Sequence, residues 1–188
     1  MSDINFLENY FTKIKNLLDK NINYNDLIKV KEILINTHKS GRKTMIFGNG
    51  GSAAIASHFS VDLTKNAGVR CVNYNESDLL TCFSNDYGYE KWVEKTIDFY
   101  GDDGDSLILI SAGGNSANMI NGANFAKKEK IKNIITFTGN EKNNKLSSLG
   151  DINFWIDSKA YNHVENMHQI LLLSLVDLII GKSEYPPN

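Results

Sequence analysis

Two cysteines in 188 residues, Cys71 and Cys82, are too few for a disulfide framework, which excludes a small fold stapled by bridges. An excess of one charge is missing as well. Twenty Lys and Arg stand against 22 Asp and Glu, for a net charge of -2, and the basic residues are dispersed, so nothing marks a nucleic-acid partner. No apolar run approaches membrane-spanning length; the longest, Ile170 to Ile180, is broken by Ser174 and Asp177. No charged leader followed by an apolar stretch opens the chain. With two reduced thiols, the expectation is a cytoplasmic protein that engages neither membrane nor nucleic acid. Repeats, linkers and low-complexity tracts are absent, and one α/β domain over residues 1–188 is expected. Two nucleotide signatures are missing too. Ala53 stands where G-x-G-x-x-G needs its third Gly, and no Gly-Lys-Ser/Thr follows the first Gly turn. No nucleotide cofactor is expected.

One arrangement occurs twice. The apolar run Thr44-Met45-Ile46-Phe47 leads into Gly48-Asn49-Gly50-Gly51-Ser52 and then a segment with helical spacing. Sixty-odd residues later, Leu107-Ile108-Leu109-Ile110 leads into Ser111-Ala112-Gly113-Gly114-Asn115-Ser116 and another such segment. A strand that ends in a Gly-rich turn and feeds a helix presents backbone N–H groups at the positive helix end, where an anion is favoured. Two such turns bearing Ser52, Ser111 and Ser116 point to one anionic ligand held between them. Helix-cap duty is the competing account of Ser52 and Ser116, but the pairing of two Ser-bearing turns favours the ligand, and Asn115 suits a turn.

Around these turns the periodicity predicts two amphipathic helices within residues 1–42, then strands at Thr44–Phe47, Val69–Tyr74, Ser106–Ile110, Asn133–Phe137 and Ile152–Ile156. Helical segments separate them: Ser52–Lys65, Glu76–Phe83, Tyr89–Phe99, Ser116–Lys128 and a short one near Lys145–Leu149, with a last helix from about Asn162 to Gly181. Short apolar strands alternating with helices predict a three-layer, doubly wound, five-stranded parallel sheet with two extra N-terminal helices. Ligands of such sheets bind beyond the carboxyl ends of the strands, where both Gly turns sit. Two polar pairs share helix faces: His58 with Asp62 at i, i+4, and Glu165 with His168 at i, i+3. Each is either a surface pair or part of a site. Asn85-Asp86-Tyr87-Gly88 reads as a polar loop.

With these pieces placed, the chain resembles the SIS (sugar isomerase) domain family in its phosphoheptose isomerase branch. The resemblance spans nearly the whole chain: the leading helices, GNGGSAAIASHFSVDL at Gly48–Leu63, SNDYGYE at Ser84–Glu90, SAGGNS at Ser111–Ser116, and the Glu165-x-x-His168 helix. It implies a flavodoxin-like sheet, a homotetramer with active sites at subunit interfaces, and aldose–ketose isomerisation of a sugar phosphate. The reaction implied converts sedoheptulose 7-phosphate to D-glycero-D-manno-heptose 7-phosphate. By position, Ser52, Ser111 and Ser116 match phosphate-binding serines. Asn49, Gly50 and Asp86 match substrate contacts, with Gly51, Gly113 and Asn115 completing that set. His58 matches a zinc ligand, Asp62 an acid/base and metal-binding Glu, and Glu165 a metal-binding Gln. Ala112 and Gly113 replace two phosphate-binding hydroxyls, Leu173 stands where the branch has a catalytic His, and Lys65-Asn66 replaces an Arg-containing stretch. The expectation is enediol chemistry run by Asp62 or Glu165, with His168 as partner acid/base, and His58, Asp62, Glu165 and His168 as an N₂O₂ set for one divalent metal such as zinc. The alternative is a non-catalytic binding protein of the DnaA initiator-associating type.

Overall fold

The computed structural model describes residues 2–128, 131 and 133–186. Five parallel strands, β1 (Thr44–Phe47), β2 (Cys71–Val72), β3 (Ser106–Ser111), β4 (Asn133–Gly139) and β5 (Ile152–Ile156), form one sheet in the order β2-β1-β3-β4-β5. Successive strand side chains face opposite sides, and here both sides are dry. Ile46, Ile108, Ile110, Ile135 and Phe137 enter one core cluster, while Met45, Phe47, Leu107, Leu109 and Ile134 enter the other. The near-continuous apolar strands are thereby explained.

The first cluster is covered by α1 (Asp3–Asn21), α2 (Tyr24–Lys39), α3 (Gly51–Lys65) and α7 (Tyr161–Ile180). The second lies under α5 (Trp92–Tyr100) and α6 (Ala117–Lys128), with α4 (Ser77–Tyr87) packed at its margin. The three-layer, doubly wound architecture follows. At 20 residues and a mean hydropathy of 1.2, α7 has the length and composition of a membrane-crossing helix, a property the broken residue run concealed. Val164, Met167, Leu171 and Leu175 form its core stripe against the sheet.

Four expected elements differ. α4 runs on to Tyr87, so Asn85, Asp86 and Tyr87 of the expected polar loop are helical and only Gly88 leaves the helix. β2 is two residues long rather than six, because Asn73 leaves the ladder: its side chain donates to Ser60 Oγ at 2.8 Å and accepts from Asn75 N at 3.1 Å. The segment expected as one helix over Tyr89–Phe99 opens as a 3-10 turn, Tyr89–Lys91, before α5 begins. Residues 145–149 are turns, since Asn144 and Ser147 side chains capture local backbone groups: Ser147 N donates to Asn144 Oδ1 at 2.9 Å, and Ser147 Oγ to Asn144 O at 2.7 Å.

Candidate functional site

Register sets the two Gly turns beside each other, for β1 and β3 are neighbours with Phe47 opposite Leu109. At the first turn a Cβ on Gly48 would strike the Ser52 backbone, and Gly50 has φ +54. Gly50 is the N-cap of α3 and Gly51 its first residue. Ser52 is therefore inside the helix rather than its cap, correcting the capping expectation, and makes no cap bond. At the second turn Gly114 has φ +67, and the Asn144 side chain fills the space a Cβ would need. Asn144 is itself held by donating to Glu141 O at 2.8 Å, and Leu146 N donates to Gly114 O at 2.9 Å. Asn115 works as scaffold, donating to Gly113 O at 3.1 Å and accepting from Lys145 N at 3.3 Å.

An amide pair locks the turns together. Asn49 Nδ2 donates to Asn118 Oδ1 at 3.0 Å and Asn118 Nδ2 to Asn49 Oδ1 at 2.8 Å, with Asn118 only 2% exposed near the start of α6. Tyr89 Oη adds a third bond to Asn49 Oδ1 at 2.9 Å.

Between the turns and the start of α7 lies a cavity of about 350 Å³. Asn49, Ser52, Ser111, Gly113, Asn115 and Ser116 line it, together with Ile110, Ala112, Asn140, Tyr161 and Glu165. Ser111 Oγ and Ser116 Oγ are 3.0 Å apart. The Glu165 carboxylate lies against Gly51, where no side chain intervenes, at the positive end of α3. The cavity thus combines hydroxyls, a helix end and one carboxylate, a set suited to holding a polyol anion beside a proton acceptor. A separate cavity of about 430 Å³, between α1 and the start of α7, is lined by Lys13, Lys20, Lys159 and His163 and contains neither Gly turn.

Four expected site residues, His168, Asp86, Asp62 and His58, lie outside the cavity lining. His168 is fully buried; its Nε2–H donates to the Thr138 carbonyl at 3.1 Å, while Nδ1 has no partner among the described residues. Burial pushes its pKa down from 6.5 to about 4, against the smaller opposing effect of the Thr138 bond. The i, i+3 spacing from Glu165 turns His168 into the core, so it neither faces the cavity nor joins His58. Asp86 is in the last turn of α4, exposed, and accepts from Asn85 Nδ2 at 2.9 Å; Tyr89 is what brings this segment to Asn49. Asp62 is about 16 Å along α3 from Gly51 at the helical rise. It accepts from His58 Nε2 at 3.2 Å, and His58 Nδ1 meets Gln169 Nε2 of α7 at 2.8 Å.

The four-residue zinc set is therefore not assembled. Among the described residues no group of three or more His, Cys, Asp and Glu side chains is placed to hold a metal ion. His58 is engaged at both nitrogens, His168 faces Thr138, and Leu173 has no donor atom. The residues present do not fit the expected metal.

Sequence reasoning missed Asn118, Tyr89, Tyr161, Asn140 and Gln169. Only Tyr89, inside SNDYGYE, and Gln169, at i+4 from Glu165, carried any local signal.

The sequence profile of the SIS domain family matches residues 9–139. The phosphoheptose isomerase of Buchnera aphidicola subsp. Acyrthosiphon pisum (strain Tuc7) is 33% identical over 175 residues, covering 90% of this chain and 89% of the relative. That of Aliarcobacter butzleri (strain RM4018) is 33% identical over 159 residues, covering 81% and 83%. The solved phosphoheptose isomerase GmhA from Neisseria gonorrhoeae superposes with a TM-score of 0.87 at 24% identity, over 95% of this chain and 99% of that one, and shares the fold.

Proposed function

The chain belongs to the SIS domain family, and on that premise we propose that it is an aldose–ketose isomerase interconverting sedoheptulose 7-phosphate and D-glycero-D-manno-heptose 7-phosphate. Relatives at 33% identity over most of both chains bear the name phosphoheptose isomerase. The observation that carries the reading is the placement of one carboxylate, Glu165, in the same cavity as the Ser52, Ser111 and Ser116 side chains. Nothing comparable favours the binding-module alternative.

In this reading the phosphate rests on the second Gly turn and the carbonyl end of the sugar extends toward Asn49 and Glu165. The Glu165 carboxylate takes a proton from C1 of the ketose as O2 gains one, giving an enediol. Return of a proton to C2, with loss of the O1 proton, gives the aldose. Asn49, clamped by Asn118 and Tyr89, orients the reacting hydroxyls without needing to reorganise. His58, Asp62 and Gln169 form a linked row on α3 and α7, outside the cavity's lining. We assign that row to the site of a neighbouring subunit in a homotetramer acting in the cytoplasm.

Sedoheptulose 7-phosphate incubated with the protein in D₂O and followed by NMR tests this. Deuterium enters the carbon next to the carbonyl, and Glu165→Gln slows its entry by about 10²–10⁴-fold, the usual worth of a general base. Neither exchange nor conversion with any of several ketose phosphates would sink the proposal.

A further inference from the structure

The second Gly turn is short of hydroxyl donors. Ala112 is buried in the core cluster and Gly113 has no side chain. Ser111 Oγ and Ser116 Oγ bond each other, so one of their two protons is committed internally. A phosphate bound there needs another donor.

α7 supplies one. A Cβ built on Gly113 meets a single heavy atom within 4 Å, Tyr161 Oη, at 3.5 Å. The phenol thus stands next to the volume that a serine hydroxyl at position 113, one bond further out, would enter. Tyr161 lines the same cavity as Ser111, Gly113 and Ser116, and is 63% exposed. Among the described residues no hydrogen bond occupies its hydroxyl. Tyr161 is also the first residue of α7, whose N-cap, Ala160, offers no side-chain cap, so the positive end of that helix lies beside the phenol.

We propose that Tyr161 Oη is the phosphate-binding hydroxyl that position 113 lacks, the glycine and the tyrosine being a paired exchange of one donor between two elements. The proposal rests on the isomerase reading for its substrate, a sugar phosphate. Tyr161 and Glu165 stand at i, i+4 on one face of α7 and line one cavity. Phosphate gripped by Tyr161 therefore registers the helix that carries the base.

The test compares unmutated protein, Tyr161→Phe, and Tyr161→Phe with Gly113→Ser, using sedoheptulose 7-phosphate turnover and binding of inorganic phosphate by calorimetry. Removing a hydrogen bond to a charged group raises KM and the phosphate Kd about tenfold, with the change falling on KM rather than kcat. Gly113→Ser in the Tyr161→Phe background returns both to within about twofold, since the serine enters the space the phenol oxygen leaves. Unchanged phosphate affinity in Tyr161→Phe overturns the proposal. So does a loss that Gly113→Ser fails to restore, which would make the phenol a packing group. Calorimetry keeps the two readings apart: a protein that turns over no ketose phosphate yet loses phosphate on Tyr161→Phe fails as an isomerase and keeps Tyr161 as an anion donor.

Discussion

His168 is fully buried and bonded to the Thr138 carbonyl, and its imidazole stays neutral down to about pH 4. In the unfolded chain the same ring takes a proton near 6.5. Between these values the unfolded state binds more protons, so stability falls as pH drops from about 6.5 toward 4 and is untouched by this group above that window. The full effect is on the order of 3 kcal/mol. Urea denaturation of unmutated protein and His168→Gln at pH 7, 5.5 and 4.5 measures it. A glutamine amide retains a donor for Thr138 but has no titration in this range, so the variant should lose distinctly less stability on acidification. Parallel pH profiles would show that acid lability arises elsewhere. Lys43 works in the opposite sense. Burial alone would depress its ammonium, but bonds to Asp102 at 2.8 Å and Asp105 at 2.7 Å hold its pKa above the usual lysine value. Glu165 and His168 show why a helical residue pattern cannot assign chemistry: on one helix, three residues apart, the first side chain lines the cavity and the second is in the core.

Among the elements, the second Gly turn depends on its brace. Gly114→Ala forces a left-handed backbone onto an L-residue and drives a Cβ into Asn144, itself anchored to Glu141; a loss of roughly 2–4 kcal/mol is expected. Gly41, with φ +78 and nothing within 4 Å of a built Cβ, isolates the backbone component, and Gly41→Ala should cost about 1–2 kcal/mol. Equal losses in denaturant titrations would mean Asn144 yields freely. The strands around these turns were legible because their signal is local: a short apolar-rich run flanked by polar or Gly residues gives Thr44–Phe47 and Ile152–Ile156 with the bounds observed. Failures came where side chains compete with the ladder, as Asn73 does at β2 and Asn144 in the following loop. Both Gly turns were legible as a pair for the same local reason. The clamp that joins them was not, since Asn49–Asn118 spans 69 residues and Tyr89–Asn49 spans 40, and neither was the separate His58–Gln169 link, which spans 111. No periodicity encodes a pairing at those separations; it appears only once the sheet order is known.

The whole molecule leaves an apolar face of α1 uncovered. Ile4, Leu7 and Phe11 are 69%, 51% and 63% exposed and recur at i, i+3 and i+7, one stripe of the helix. The adjacent face of α1 is already satisfied, with Leu17 in the core and Tyr10 packed edge-on to His163 at 4.4 Å. A helix apolar on two faces is costly in water unless the second face is also covered. The homotetramer proposed above would provide that cover, and it would also give His58, Asp62 and Gln169 a site to complete. Phe11→Glu with Leu7→Glu puts two like charges into the seam while leaving the core-facing side unchanged. Light scattering coupled to size exclusion should give a tetramer for the unmutated protein and a smaller species for the double variant, while the midpoint of chemical unfolding extrapolated to monomer changes little. Because the proposed sites are shared between subunits, deuterium exchange into the ketose phosphate should fall together with assembly, and Asp62→Asn should lower it within intact tetramers. A monomer with full exchange activity would confine the reaction to the cavity of one chain and leave the row on α3 and α7 without a catalytic part.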